Sequence, residues 1–537
     1  MPRIVTSWFS TLSRKFTVIA VRRCLSVTLI GLLGFAGSAA VGIVAGIPAP
    51  AGTDEFSYLL AADTFAHGRL TNPPHPLWVH FESVHIIQQP TYMSKYPPAQ
   101  GLVLAAGQVL AGQPIVGVWM SFALMCAAIC WMLYAWVPPR WALLGGFLAV
   151  INPQLGIAGY WAQSYWGGAV PAIGGALLLG GVRHLMRRPR VNDALLTSMG
   201  LAILANSRPY EGLLISLPAG VILLLWILSK RGPPLRVSLG QIVLPTLFAL
   251  ALTGAAMGLY NLRVTGNALR LPYQVHEESY GIAPLFIWQS LPPEPAYRHQ
   301  ALRDRHRQVG RGLYDIQRSV TGFLVKNTAY LSWWGMYSLN IFAIPLIATL
   351  PLMVTWALRD RWARFALLTY VILIAGVLLE TFMMIHYLAP ITAFNYFFVL
   401  SAMRLWRWRD KRIGQTMSWV IPLLAAIMLV ASLGWTINRD NSSAWQNQRA
   451  RLLKQLKQQD GYHLIIVSYR PTYTTHWEWV YNEADIDGAK VVWARRMDDD
   501  HNCQLLEYFK DRHIWSLELD ASKSIPRLTP YPRNLCR

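Results

Sequence analysis

Charge is scarce in this sequence: only 14% of its 537 residues are Asp, Glu, Lys or Arg, against roughly a quarter in soluble domains. Acid is scarcer than base, with 27 Asp and Glu against 48 Lys and Arg. Cysteine is rare too: Cys24, Cys126, Cys130, Cys503 and Cys536 are the only five, and no CxxC or His-rich pattern marks a zinc site. There is no internal repeat and no long low-complexity segment. The net charge of +21 comes with no nucleic-acid motif.

Apolar residues, at 54%, fill the space that charge leaves. A bilayer is crossed by roughly 20 apolar residues of helix. Eleven runs suggest spans: 24–46, 114–137, 141–159, 167–186, 194–207, 211–229, 238–260, 333–357, 363–380, 386–403 and 417–436. The expected class is mainly α, a polytopic membrane protein with about eleven transmembrane helices and a small C-terminal α/β domain. A basic leader (Arg14, Lys15, Arg22, Arg23) precedes the first run, which is too long for a signal peptide. It reads as a retained anchor.

Basic clusters at 183–190, 230–236, 359–364 and 404–412 all fall on the cytoplasmic side if the N-terminus is inside. This orientation requires that 96–112 (YPPAQGLVLAAGQVLAG) not cross, and that segment is read as an interfacial helix. The basic excess then serves mainly to fix topology and meet anionic lipid. Loops 47–113 and 261–332 and everything after 437 are expected outside the cytoplasm, in a bacterial inner (plasma) membrane. The domain reading is a transmembrane part, 1–437, that carries both loops, and an extracytoplasmic part, 438–537.

In the tail, 463–469, 489–495 and 513–519 read as strands, with a helix at 501–510. Cys503 and Cys536 are the only tail cysteines, and an oxidising compartment favours a bridge between them; the alternative is two free thiols. The loop 261–332 holds nine Lys or Arg against five acids, with His276, His299 and His306 among them. Such a surface suits a phosphate at the lipid interface, or is an ordinary solvated face.

Asp54 and Glu55 follow the first span directly. They read either as first-turn acids of a helix capped by Thr53 and ended by Gly68, or as chemistry. In order, the sequence then places the acidic pair (TDEFSY), a Lys-Pro turn (SKYPPAQG: Lys95, Pro97, Pro98) and the non-crossing helix. In this arrangement the chain resembles the GT-C superfamily of integral-membrane glycosyltransferases, near the protein mannosyltransferase and aminoarabinose transferase branches. The resemblance covers roughly the first 400 residues in topology, with its sharp motifs confined to 53–100.

The resemblance implies inverting transfer of a sugar from a polyprenyl-phosphate donor to a glycan, lipid or protein acceptor. Asp54 would be the base. Glu55 would be its neighbour and open to a cation or the acceptor, and Lys95 a contact to the donor phosphate. Arg208, in NSRPYEG, is a second phosphate contact from chemistry alone, or an interfacial anchor. Where the aminoarabinose branch has a metal-binding Glu before the Lys, this chain has Ser94, so a divalent cation is the only cofactor left open. Where relatives carry Arg-Tyr, it has His386-Tyr387. His386 takes the phosphate-facing role or ends a helix, with Glu380 as a potential partner. Tyr160, Trp161, Tyr165 and Trp166 form an aromatic belt or a sugar-stacking wall. The competing classes are a transporter or flippase of lipid-linked glycans and an interaction protein acting through its tail. Neither repeats nor midplane acids point to transport.

Overall fold

The structure, a computed structural model, describes residues 14–438, 441–470, 473, 476–520 and 526–532. The chain divides into two compact units. One takes in the described parts of Met1–Ile47, Ile115–Ala256 and Leu324–Ile437; the other takes in those of Pro48–Pro114, Met257–Phe323 and Asn438–Arg537.

The first unit is helical, as its apolar runs require. Among the described residues of the chain, eight helices are long and apolar enough to cross a membrane: Arg23–Ala45, Pro114–Trp136, Ala169–Arg187, Pro209–Leu228, Leu235–Thr265, Arg361–Leu378, Ile385–Arg409 and Arg412–Asn438. Val320–Ser338 and Asn340–Ala348, bent by 95°, make a ninth if they are one broken span. The eleven expected are therefore not all found, and local chemistry explains the difference. The run 141–159 is helical only over Pro139–Val150. Asn152 precedes a proline, which disfavours helix, and its Oδ1 accepts the Gln154 and Leu155 N–H groups at 3.0 and 2.9 Å in a turn. The run 194–207 gives a helix of 15 residues, Val191–Ala205, about 22 Å long against a core of about 30 Å. The run 333–357 breaks at Asn340, whose φ is 34°, and again at Leu350, where Leu350–Arg359 begins.

Helices in this unit approach closely where glycine permits it. A Cβ on Gly175 would lie 1.8 Å from the Pro390 carbonyl oxygen, so Ala169–Arg187 packs directly on the turn Ile385–Ile391. Small residues at helix contacts are the usual device in lipid. Trp136 fills the core, with the rings of Trp362, Phe394 and Phe397 at 5.5, 5.1 and 5.1 Å.

The second unit is α/β. Its short ribbon pairs β1 (Ile86–Ile87) with β2 (Met93–Ser94), Ile86 opposite Ser94. Its main sheet holds β3 (His463–Tyr469), β4 (Val491–Arg495), β5 (His513–Leu519) and β6 (Leu528–Pro530), in the order β4-β3-β5-β6. The first three are parallel and β6 is antiparallel. Strands covered on both faces read as unbroken apolar runs, and Leu464–Val467 is fully buried. Helix Asp499–Tyr508 links β4 to β5, so the expected strands and helix are present with small shifts at their ends. Cys503 lies on that helix; Cys536, its expected partner, lies outside the described residues.

The tail does not have a core of its own. Phe56, Leu60, Phe81, Ile86 and Tyr92 share one apolar cluster with Leu464, Trp479, Tyr481 and Trp493. Phe56 stacks on Tyr481 with ring centres 4.2 Å apart. Arg495 Nε donates to the Glu82 carbonyl at 2.6 Å. The Glu82 carboxylate accepts the Tyr280 hydroxyl at 2.8 Å and lies 3.6 Å from Arg298. Segments 48–114, 257–323 and 438–537 are thus one folding unit.

Candidate active site

The acidic pair opens helix Thr53–Ala66, whose N-cap is Gly52 rather than the expected Thr53. Thr53 is instead the first helical residue, and the helix ends just before Gly68, whose φ is 72°. Glu55, at 4% exposure, folds back on the helix start. Its Oε2 accepts the Ala51 and Gly52 N–H groups at 2.7 Å each. These are two of the donors that a helix N-terminus leaves without intrahelical partners. The capping expected of this acid pair is therefore carried by Glu55.

Asp54 points elsewhere. Its Oδ1 accepts the Tyr96 hydroxyl and lies 3.7 Å from His85 Nε2. Among the described residues no hydrogen bond reaches Oδ2, and about a fifth of the side chain is exposed, at 22%. His85 adopts φ 66°, a left-handed conformation uncommon outside glycine, in which Asn, Asp and His are the more frequent of the other residues. Its carbonyl is pinned by Ser57 Oγ at 2.7 Å and by the Lys95 N–H at 3.2 Å. Ser57 Oγ also meets Ser94 Oγ at 2.7 Å.

Lys95 is buried between the rings of Tyr273 and Tyr96, 4.7 and 5.5 Å from their centres. Its ammonium pairs with Glu277 at 3.3 Å, and His276 Nδ1 meets the same carboxylate at 3.3 Å. Burial works to raise the Glu277 carboxyl, but Lys95 and the histidines outweigh it and hold it down at about 2. Burial and the Lys95 charge push His276 down to about 4. Burial also pushes His306 down to about 4. His85 falls well below the ordinary histidine range through burial and the charges of Lys95 and Arg305. Arg305 reaches Thr53 Oγ1 at 3.3 Å. The surroundings of Asp54 thus hold two cations, a second carboxylate and three neutral imidazoles.

The remaining expected site residues belong to the helical unit. Arg208 lies 3.6 Å from Glu211 and 4.4 Å above the Tyr387 ring. His386 is buried, with Trp166 at 5.6 Å and Tyr387 at 5.2 Å between ring centres. Trp166 in turn packs on Tyr160 at 5.2 Å. His386 Nδ1 and Trp166 Nε1 are buried without hydrogen-bond partners. Trp161 and Tyr165 are buried at 3% and 6% exposure, so only Tyr160 and Trp166 of the four aromatics line this corner. Glu380 forms no ion pair with His386 among the described residues. The Lys326 ammonium donates to the Glu380 carbonyl at 3.0 Å. Among the described residues no three His, Cys, Asp or Glu side chains converge to hold a metal ion.

No known protein family matches the chain by sequence model, and no curated protein sequence matches it. Solved structures do. ArnT from Cupriavidus metallidurans bound to undecaprenyl phosphate aligns over 96% of this chain and 98% of that one, with a TM-score of 0.52 and 12% identity. The same protein in the apo state aligns over 94% and 93%, with a TM-score of 0.51 and 13% identity. The Archaeoglobus fulgidus oligosaccharyltransferase in the apo form aligns over 82% of this chain at a TM-score of 0.47 and 10% identity, and this chain spans 62% of its length.

The fold is the GT-C fold.

Within this fold Asp54 is held by Tyr96, the neighbour of Lys95 in sequence, whereas Glu55 turns back to the Ala51 and Gly52 N–H groups and so away from the role expected of it. His85, Tyr96 and Glu277 were not singled out. Tyr96 carried one usable signal, its place beside Lys95. Glu277 lay in a noted HEESY patch, but nothing in the pattern pairs residues 182 positions apart.

Proposed function

We propose that the chain is a membrane glycosyltransferase that moves a hexosyl or pentosyl unit, with inversion, from a polyprenyl-phosphate donor to an acceptor outside the cytoplasm. What carries this reading is the state of Asp54: one oxygen is held by Tyr96, the other is open among the described residues, and the buried Lys95 is the next residue in sequence to Tyr96. In the reaction the acceptor oxygen bonds to the anomeric carbon as the bond to the phosphate oxygen breaks. The electron pair of that bond leaves on the phosphate, and the acceptor proton passes to Asp54. Lys95 offsets the charge left on the phosphate, releasing Glu277 to do so. Arg208 and His386 of the helical unit are proposed phosphate contacts from their chemistry alone, and Trp166 and Tyr160 proposed sugar-stacking rings. ArnT, with its bound undecaprenyl phosphate, supports the lipid-phosphate class of donor.

A transport reading draws on one observation, the buried group of Arg208, Glu211, Lys326 and Glu380 among the helices, since intramembrane charges commonly line a path. Mass spectrometry of envelope glycans and polyprenyl-phosphate sugars in a deletion strain separates the two. Transfer predicts an accumulated donor exposed outside and one sugar missing from a glycan. Transport predicts that the donor accumulates on the cytoplasmic leaflet, and that result would sink the enzyme.

A further inference from the structure

We propose that His85 and Tyr96 are positioning residues that hold Oδ1 of Asp54 from two sides and so leave Oδ2 directed at the acceptor. The inference rests on the reading of Asp54 as base and adds two residues to it. Tyr96 donates its hydroxyl to Oδ1. His85 brings Nε2 to 3.7 Å of the same atom, longer than a formed hydrogen bond; such contacts tighten when substrate arrives.

The histidine's tautomer follows from its other nitrogen. His85 Nδ1 is buried with no hydrogen-bond partner among the described residues. A buried N–H left alone costs more than a bare lone pair, so the proton belongs on Nε2, facing Asp54. The groups around the ring keep it neutral. Lys95 and Tyr96 follow β2, His276 and Glu277 come from helix Pro272–Tyr280, and Arg305 and His306 come from helix Gln300–His306 and its continuation. The ring is therefore a neutral N–H donor. It holds the carboxylate without forming the tight ion pair that would remove its basicity.

The backbone is arranged for the same end. A histidine at φ 66° carries backbone strain, which persists only when neighbours enforce it. The neighbours here are Ser57, one turn after Asp54 on the same helix, and the Lys95 N–H, both on the His85 carbonyl. The helix that presents Asp54 thus also fixes the residue that orients it.

Two substitutions separate the donor from the backbone. His85→Asn suits the left-handed conformation, but its amide falls short of Asp54. His85→Gln reaches about as far as Nε2 and keeps an N–H. The purified full-length chain in detergent is treated with a water-soluble carbodiimide and glycinamide at pH 6.5, and labelling of the Asp54 peptide is read by mass spectrometry. Losing a donor leaves the carboxyl less shielded from the reagent, so His85→Asn and Tyr96→Phe should each increase labelling about threefold or more. His85→Gln should stay within about twofold of wild type. Equal labelling in wild type, His85→Asn and Tyr96→Phe would overturn the proposal. So would His85→Gln labelling as strongly as His85→Asn, which would leave His85 a turn residue. If His85→Asn unfolds in a thermal melt, Tyr96→Phe decides. The labelling does not depend on sugar transfer: an active Asp54→Asn enzyme would remove the base assignment, whereas unchanged labelling would remove the clamp.

Discussion

Asparagine at position 54 keeps the shape of the side chain and an acceptor for Tyr96, but loses the basic oxygen. Transfer by Asp54→Asn should fall about 100- to 10,000-fold, the usual worth of a positioned general base, in protein that melts as wild type does. Wild-type turnover would return the residue to its place in a helix first turn. Glu55 should behave differently, because its carboxylate already holds two backbone N–H groups. Glu55→Ala should cost about 1–2 kcal/mol of stability, as loss of a cap does, while the folded fraction keeps most of its activity. Lys95→Ala should raise the donor KM about tenfold or more, the worth of a charge-assisted hydrogen bond, and Lys95→Arg should recover part of it. Glu277→Gln, which frees Lys95 from its 3.3 Å partner, should lower the donor KM. An unchanged KM in both the alanine and glutamine variants would confine this pair to structure. The acids and the lysine could be found in the sequence because they sit beside a span end and a proline turn. His85 could not, since its significance lies in a backbone angle and in neighbours that arrive from three segments.

The helix that carries Asp54 is held by helix Pro98–Ala111, which has 14 residues and so is too short to cross. Their contact depends on Gly101, where a Cβ would meet the Ala61 methyl at 2.7 Å and the Phe65 ring at 3.0 Å. Neither neighbour has room to swing away. Gly101→Ala should cost about 1–3 kcal/mol, as overpacking does, and should slow transfer beyond the loss of folded protein by displacing Asp54. A variant with wild-type melting temperature and rate would show that the two helices adjust independently. At this scale the sequence was readable wherever an element's pattern was local. Strands β3 and β5 begin and end as expected, and the segment 96–112 read as one helix is helical over Pro98–Ala111. Apolar runs misled where a break depended on Asn152 or Asn340, because hydropathy does not register a side chain that accepts backbone N–H groups.

The orientation of the molecule remains part of the proposal, and cysteines introduced at 54 and at the exposed position 443 in a cysteine-free background test it. Both should react with an impermeant maleimide in spheroplasts; labelling only after lysis would place the chemistry on the wrong side. Acid should weaken the α/β unit as a whole. Burial and nearby cations hold His276 and His306 at about 4 and His299 at about 3, against 6.5 when unfolded. Between those values the unfolded chain binds more protons, so stability is fully present above about 6.5 and is lost as pH falls toward 4. Glu277, held at about 2 against 4.5, adds a further loss below about 4.5. Tryptophan fluorescence melts in detergent should show a falling midpoint from pH 7 to pH 4.5, and a flat profile would contradict the buried neutral state of these rings.

Arg495 and the Glu82 carbonyl it holds are 413 residues apart, which has a consequence in time. At 5–20 residues per second, a ribosome needs roughly 20–80 s to pass from one to the other. Throughout that interval the newly made 48–114 segment has its acidic helix but no Tyr481 beneath Phe56 and no sheet to cover Leu60 and Ile86. The nascent chain must carry an unfinished, apolar-faced segment through most of its own synthesis, open to membrane chaperones and proteases. A chain interrupted before β4 would carry Asp54, Lys95 and every span, and would still be unable to seat the base.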